Sequence, residues 1–260
     1  MLAIIDSDSI CVASAAQACK NKDENGIGIW DEEEVIHAYS NVKNKMMSIL
    51  EKTGCTDYEA FLSQSKDASS FRLKIYPEYK AHRVKTPRPI YEQKAREYLI
   101  NHWQADVVQE IEADDAVSII QYELYKGEFE DNPAATTALE WVYPAVLCGI
   151  DKDLDQVPGL HYNYNKDIFY YITPMQGLRN LYLQMLTGDV ADNIPRVKKG
   201  WRQAKAEEKI NKACTEKELY DIIYEEHRAL EIDKIEERIQ WLGSLLMLRK
   251  HPTDEYRIPT

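Results

Sequence analysis

Residues 141–154 read Trp-Val-Tyr-Pro-Ala-Val-Leu-Cys-Gly-Ile-Asp-Lys-Asp-Leu. The nearly continuous apolar run from Trp141 to Ile150 suits a strand buried on both faces, as in a parallel sheet covered by helices. It stops at Asp151. Towards the N-terminus, Ala113–Tyr125 reads as a helix, Asp106–Gln109 as a strand, Ile90–Trp103 as a helix and Ala60–Leu62 as a strand. Val35, Ile36, Tyr39, Val42, Met46, Ile49 and Leu50 recur at helical spacing, and the short apolar strand Leu2–Ile5 ends at Asp6. This alternation predicts an α/β fold with a mostly parallel central sheet flanked by helices.

Towards the C-terminus, two tyrosine-rich runs (160–164 and 168–172) suit a hairpin, and Thr173-Pro174-Met175-Gln176 is a helix start with a reciprocal cap. Everything beyond reads as helical. Two parts follow: an α/β core over 1–172 and a helical subdomain over 173–260. Residues 126–140 read as a polar connection. Pro77, Pro87 and Pro89 interrupt a basic stretch at about 72–96, which reads as an exposed loop or arch.

The chain has 260 residues, 44 acidic and 32 basic, for a formal charge of −12. That balance argues against indiscriminate polyanion binding by the whole surface and leaves any nucleic-acid role to local patches. Five cysteines (Cys11, Cys19, Cys55, Cys148, Cys214) are widely spaced without a CxxC pair, so a reducing compartment is expected, with no disulfide framework or zinc site. The apolar run before Asp6 is too short for a signal peptide, and no segment approaches the roughly 18 apolar residues of a membrane span. The expectation is a soluble, cytoplasmic monomer with no membrane partner.

Acidic side chains recur where strands end or helices begin: Asp6 and Asp8; Asp67; Glu112, Asp114 and Asp115; Asp151 and Asp153; Asp189 and Asp192. Singly, each reads as readily as a turn or helix-start residue. In open α/β sheets, however, ligand sites form at the carboxyl ends of the strands, where these acids would converge. Converging carboxylates repel unless a cation sits between them, and hard divalent ions prefer oxygen ligands. The pattern therefore points to a two-metal, phosphate-cleaving site.

The sequence resembles the 5′ nucleases, a flap-endonuclease-like, PIN-like family, and looks most like its small phage-encoded 5′-3′ exonucleases. The resemblance rests on Ile4-Ile5-Asp6, on Asp67 with Phe71-Arg72, and on Tyr79-Lys80-Ala81-His82-Arg83. It continues through Glu112-Ala113-Asp114-Asp115, Gly149-Ile150-Asp151-Lys152-Asp153-Leu154 and Gly188-Asp189-Val190-Ala191-Asp192-Asn193-Ile194-Pro195. It implies that Asp6, Asp67, Glu112 and Asp114 hold one Mg²⁺ or Mn²⁺ ion. Asp115, Asp151, Asp153 and Asp192 would hold a second, with Asp189 beside it or acting through water. The implied reaction is metal-dependent hydrolysis of a DNA phosphodiester near a free 5′ end, flap or gap. RNA paired to DNA, as in replication primers, is a further implied substrate.

Between Arg72 and Arg96 eight basic residues face only Glu78 and Glu92, a local charge of +6. By resemblance this is a helical arch in which Lys80 and Arg83 hold the scissile phosphate, with Arg72, Tyr79, Lys85 and Arg88 as further substrate contacts. Tyr76 or Tyr79 is placed to stack on an unpaired base. A second patch, 196–212, carries a local charge of +5. It falls in an implied helix-three-turn-helix module at about 186–213. There Arg196 and Lys198-Lys199-Gly200-Trp201-Arg202 stand in place of a Gly-hydrophobic-Gly turn. This favours phosphate contacts from Lys198, Lys199 and Arg202 and argues against a K⁺ site.

Two other readings compete. Asp6-Ser7-Asp8 resembles the opening motif of haloacid-dehalogenase-type phosphatases, with Asp6 as nucleophile and Asp8 as acid or base. A catalytically inactive relative would bind branched DNA without cutting it.

Overall fold

Leu2–Asp6 (β1) lies at the centre of the sheet because its neighbours on both sides are parallel: Asp57–Leu62 (β2) and Ala145–Cys148 (β4). The structure, a computed structural model, describes residues 1–24, 26–64, 70–85, 88–131, 144–198, 203–231 and 233–259. Asp106–Val107 (β3) extends the β2 side, and Gly159–Asn163 (β5) and Ile168–Ile172 (β6) extend the β4 side, in the order β3-β2-β1-β4-β5-β6. Only β6 runs antiparallel, as the second arm of the expected hairpin. The order reverses between β1 and β4, so a crevice opens beyond their carboxyl ends.

Period-two alternation assigns the two faces of the sheet. Ala3, Ile5, Ala60, Leu62, Val146 and Cys148 pack against Glu32–Thr53 (α2) and Glu92–Trp103 (α4). Ile4, Phe61 and Leu147 pack on the opposite side against Ala113–Asp131 (α5). Layers of helix, sheet and helix result. Asp8–Ala18 (α1) is a helix that the sequence reading did not identify. Its residues Ile10, Cys11, Ser14, Ala15 and Ala18 are buried, and small side chains on several faces leave little polar contrast to reveal a helical period.

Three expectations about elements change. Helix α5 continues to Asp131, so the first part of the expected polar connection is helical; the rest, 132–143, lies outside the described residues. Strand β4 occupies only Ala145–Cys148 of the apolar run. The basic stretch is no free loop: Phe71–Ile75 (α3), with Arg72 buried in it, is followed by a 3-10 turn, Ala81–Lys85, and Tyr79 between the two is buried.

The helical half comprises Pro174–Thr187 (α6), Gln203–Ile210 (α7), Glu216–Arg228 (α8) and Ile235–Leu246 (α9). Thr173 and Gln176 form the expected reciprocal cap of α6. Leu219, Ile223, Ile239 and Leu242 fill the core between these helices, and Tyr79 enters that same core. Trp241 packs edge-on against Tyr76. Gly177 lets α6 approach the 3-10 turn Lys152–Gln156, since a Cβ there would lie 2.3 Å from the Gln156 carbonyl oxygen. Among the described residues no helix is long and apolar enough to cross a membrane.

Candidate active site

Among the described residues, the crevice collects acids from four chain segments. Asp6 is the last residue of β1; Glu112 precedes α5, and Asp114 and Asp115 occupy its first turn. Asp151 caps the 3-10 turn after β4 and Asp153 lies within it, while Asp189 and Asp192 follow α6. The last pair sits in a tight loop closed by hydrogen bonds between Asp189 and Ile194 (2.9 and 2.7 Å). Gly188 opens that loop at φ +64, with backbone 2.5 Å from where a Cβ would stand, so only glycine fits.

The protein pairs some of these acids with its own cations. Lys80 Nζ is 2.7 Å from Glu112 Oε1 and 3.7 Å from Asp192, and Arg83 donates to Asp192 Oδ1 at 2.6 Å. Lys152 reaches Asp189 at 2.6 Å. The Tyr79 hydroxyl lies 2.8 Å from Glu112 Oε2 and 2.7 Å from Asp192 Oδ2, and its one proton serves one carboxylate at a time. Burial alone would raise the Glu112 carboxyl, but Lys80 and Arg72 bring it below its usual range. Burial likewise opposes the charge on Lys80; Glu112, Asp192 and Asp114 outweigh it and raise the ammonium above its ordinary value. Lys80 is held at φ +56, and its backbone N–H donates to Asp192 O.

Other acids are left without that compensation. Asp6 is pushed up to about 7, first by burial, then by Asp8 and Asp151. Asp153 also rises to about 7, by burial and by Asp151, although Lys152 stands 3.8 Å away. Asp114 lies well above the carboxylate range through burial and the adjacent Asp115 and Glu112. Crowded oxygen donors that hold protons for want of positive charge suit a hard divalent cation. Among the described residues, however, no three Asp, Glu, His or Cys side chains are close enough to hold a metal ion by themselves. The eight described members of the nine expected ligands are therefore not gathered into two finished cages. The fit is confined to Asp6, Asp114 and Asp153, with Asp151 acting on Asp6 and Asp153.

Three assignments from the sequence are corrected. Arg72, expected on the substrate, is 2% exposed, and its five N–H donors are all used inside the protein. Nε donates to Leu245 O, Nη1 to Glu112 and Asp115, and Nη2 to Asp115 and Met247 O. Asp115, expected on a metal, is fully buried. Its oxygens accept from both Arg72 nitrogens and from the backbone N–H groups of Glu112 and Arg249, so none is left for an ion. Tyr79 is 4% exposed and packed in the helical core, which removes it as a stacking platform; Tyr76 is half-buried against Trp241.

Arg88 is exposed and, from the segment before α4, pairs with Glu92 at the start of that helix; Lys198 is exposed. Asp67, Lys199 and Arg202 lie outside the described residues, as does the Lys85 side chain. Asp8 is tied down by Ser63 N (3.1 Å) and Arg96 (3.1 Å), away from the role of mobile acid or base.

The structure adds side chains that the sequence reading did not select. Gln184 donates to Asp153 Oδ1 at 2.5 Å, and Gln156 donates to Gln184 at 2.6 Å. The Ser63 hydroxyl accepts from Ala113 N at 2.9 Å at the start of α5, and the Tyr164 hydroxyl donates to Asp6 O at 3.1 Å. Gln184 carried a usable signal: it is a lone amide within the apolar run Leu181–Leu186.

By sequence, no protein-family model and no curated protein matches the chain. Solved structures do match. A bacteriophage T5 protein co-crystallised with metal ions superposes over 94% of this chain and 88% of its own, with a TM-score of 0.63 and 16% identity. The fold is that of the phage T5 5′ nuclease. The T5 flap endonuclease in a complex with DNA and metal ions covers the same shares at a TM-score of 0.62 and 15% identity. A mutant of the T5 5′-exonuclease covers 94% and 86% at 0.59 and 16%. The acid crevice described above thus lies in a chain with the 5′-nuclease fold.

Proposed function

We propose that the protein is a divalent-metal-dependent 5′-3′ exonuclease and structure-specific 5′ flap endonuclease acting on DNA. Primer RNA paired to DNA would be a second substrate, and the host-cell cytoplasm the site of action. The observation that carries this reading is the group Asp6, Asp114 and Asp153, whose carboxyls are raised by burial and by neighbouring acids, with Asp151 next to Asp6 and Asp153, at the carboxyl ends of the strands.

Two Mg²⁺ or Mn²⁺ ions held there, with Asp67 as a further ligand, would supply water activation and stabilise the leaving oxygen. Glu112, Asp189 and Asp192 act around them as partners of Lys80, Arg83 and Lys152. Lys80 and Arg83 are 24% and 45% exposed, so both can exchange a carboxylate for a phosphate oxygen without leaving the crevice. On the phosphate they offset the charge that develops in the transition state. Arg88, Lys85, Lys198, Lys199 and Arg202 would contact the strands outside the crevice. The phosphatase reading loses its acid, because Asp8 is engaged by Ser63 and Arg96.

Digestion of a 5′-labelled flap duplex with Mg²⁺, Mn²⁺ or EDTA tests the proposal. Metal-dependent mononucleotides or intact flaps are expected, and Asp153→Asn should abolish them while DNA is still bound. Binding of branched DNA with no metal-dependent product would overturn it in favour of an inactive binder; inorganic phosphate released from small monoesters would favour a phosphatase.

A further inference from the structure

The last four carbonyls of a helix have no intrahelical partner. At the end of α9, Gly243 O accepts from the Met247 backbone N–H, and Leu245 O and Leu246 O accept from side chains that continue to the acid crevice. The alternation of the extended backbone splits them into two sets. On one side, Leu245 O accepts from Arg72 Nε (2.9 Å), Met247 O from Arg72 Nη2 (3.2 Å), and Arg249 N donates to Asp115 Oδ1 (3.1 Å). On the other side, Leu246 O accepts from Gln156 Nε2 (2.9 Å) and Leu248 N donates to Gln156 Oε1 (3.1 Å).

Each side continues to a different group of acids. Arg72 holds Asp115 through two hydrogen bonds and Glu112 through a third, at the start of α5. Gln156 donates onward to Gln184 Oε1 (2.6 Å), and Gln184 donates to Asp153 Oδ1 (2.5 Å). Arg72, Gln156 and Gln184 are all buried, which limits competition by solvent along these bonds up to the partly exposed ends Glu112 and Asp153. Gly177 permits the close contact between α6 and the turn that aligns the two glutamines.

We infer that Leu245–Arg249 is a positioning strap for the crevice, holding Glu112 through Arg72 and Asp153 through Gln156 and Gln184. The strap sets the spacing between the α5 acids and the acids after β4. Gln156, Gln184 and Arg72 are accordingly positioning residues. The inference rests on the nuclease reading above.

The test uses the full chain and the variants Gln184→Met, Gln156→Met and the pair together. Mn²⁺ binding is titrated by calorimetry without DNA, flap cleavage is measured in single turnover, and DNA affinity is measured in Ca²⁺. Outer-sphere partners of metal ligands typically change metal affinity or activity about 10–100-fold. Each single variant should weaken Mn²⁺ binding and slow cleavage by about that factor with DNA affinity unchanged. The pair should lose no more than the worse single, because both act along one chain of hydrogen bonds. Folded variants that bind Mn²⁺ and cleave as the wild type does would overturn the strap, as would losses that multiply in the pair. If Gln156→Met does not fold, Gln184→Met decides alone on the same criteria. A wild type that neither binds Mn²⁺ nor cleaves overturns the nuclease reading and the strap with it, an outcome distinct from active wild type with indifferent variants.

Discussion

Arg72 and Asp115 face each other through two hydrogen bonds, 2.6 and 2.9 Å long, at a place where neither side chain meets water. A buried pair of this kind is hard to break singly, because removing one partner strands the other's charge. Arg72→Met or Asp115→Ala should each destabilise the fold by about 3–5 kcal/mol. The double change Arg72→Met/Asp115→Leu should cost clearly less than the sum. Urea denaturation measures all three; a loss below about 1 kcal/mol for either single variant would mark the pair as no stronger than a surface salt bridge.

Lys80 combines a half-buried, paired ammonium with a left-handed backbone. Lys80→Ala should lower the single-turnover cleavage rate by about 10²-fold or more, as loss of one charge-stabilising donor does, with DNA affinity little changed. Because left-handed geometry disfavours a Cβ by about 1–2 kcal/mol, Lys80→Gly should be the more stable of the two variants while equally slow. An affinity loss without a rate loss would make Lys80 a positioning contact for DNA.

Gly177 offers a prediction of sign. In a helix interior, Gly to Ala ordinarily stabilises by up to about 1 kcal/mol. Here the added methyl would meet the Gln156 backbone, which cannot rotate away. Gly177→Ala should instead destabilise by about 1–3 kcal/mol and slow cleavage, since it pushes α6 from the turn that carries Asp153. A thermal melt at or above the wild type would refute the close approach.

His161 predicts a pH dependence of stability. Burial pushes its imidazole down to about 4; Nε2 bonds to Val157 O at 2.8 Å, and the ring stacks on Tyr170, whose hydroxyl donates to Asp155. The unfolded chain takes up the proton near pH 6.5 and the folded chain only near 4. This contribution is therefore whole above pH 6.5 and disappears as the pH falls through 4. At about 1.4 kcal/mol per pH unit it amounts to about 3 kcal/mol. Urea midpoints at pH 7.5 and 4.5 should fall less for His161→Gln than for the wild type; parallel falls would contradict it.

Fold class was legible because apolar runs of sheet length and helical stripes survive in one dimension. The strand at Leu2–Ile5 and the capped start at Thr173 appear in the structure as read, and the apolar run 141–150 holds the shorter strand Ala145–Cys148. Helix α1 was not legible, because its small buried residues carry no amphipathic contrast. The acids at strand ends could be named for the same reason as the strands, since a sheet must deliver its carboxyl ends to one crevice.

The sequence by itself determined which side chains arrive at the crevice: Asp6 at the end of β1, Asp151 and Asp153 after β4, and Lys80 and Arg83 in the basic stretch. It carried no information on who pairs with whom. Arg72 and Asp115 look like a phosphate ligand and a metal ligand until both prove to be inside the protein, joined to each other and to the end of α9. Whether a charge faces solvent, a carboxylate or an ion depends on distances of a few ångströms between residues up to 173 apart, the separation of Arg72 and Leu245. Coulomb energy and desolvation both turn on that separation and burial, so only the tertiary structure could decide them.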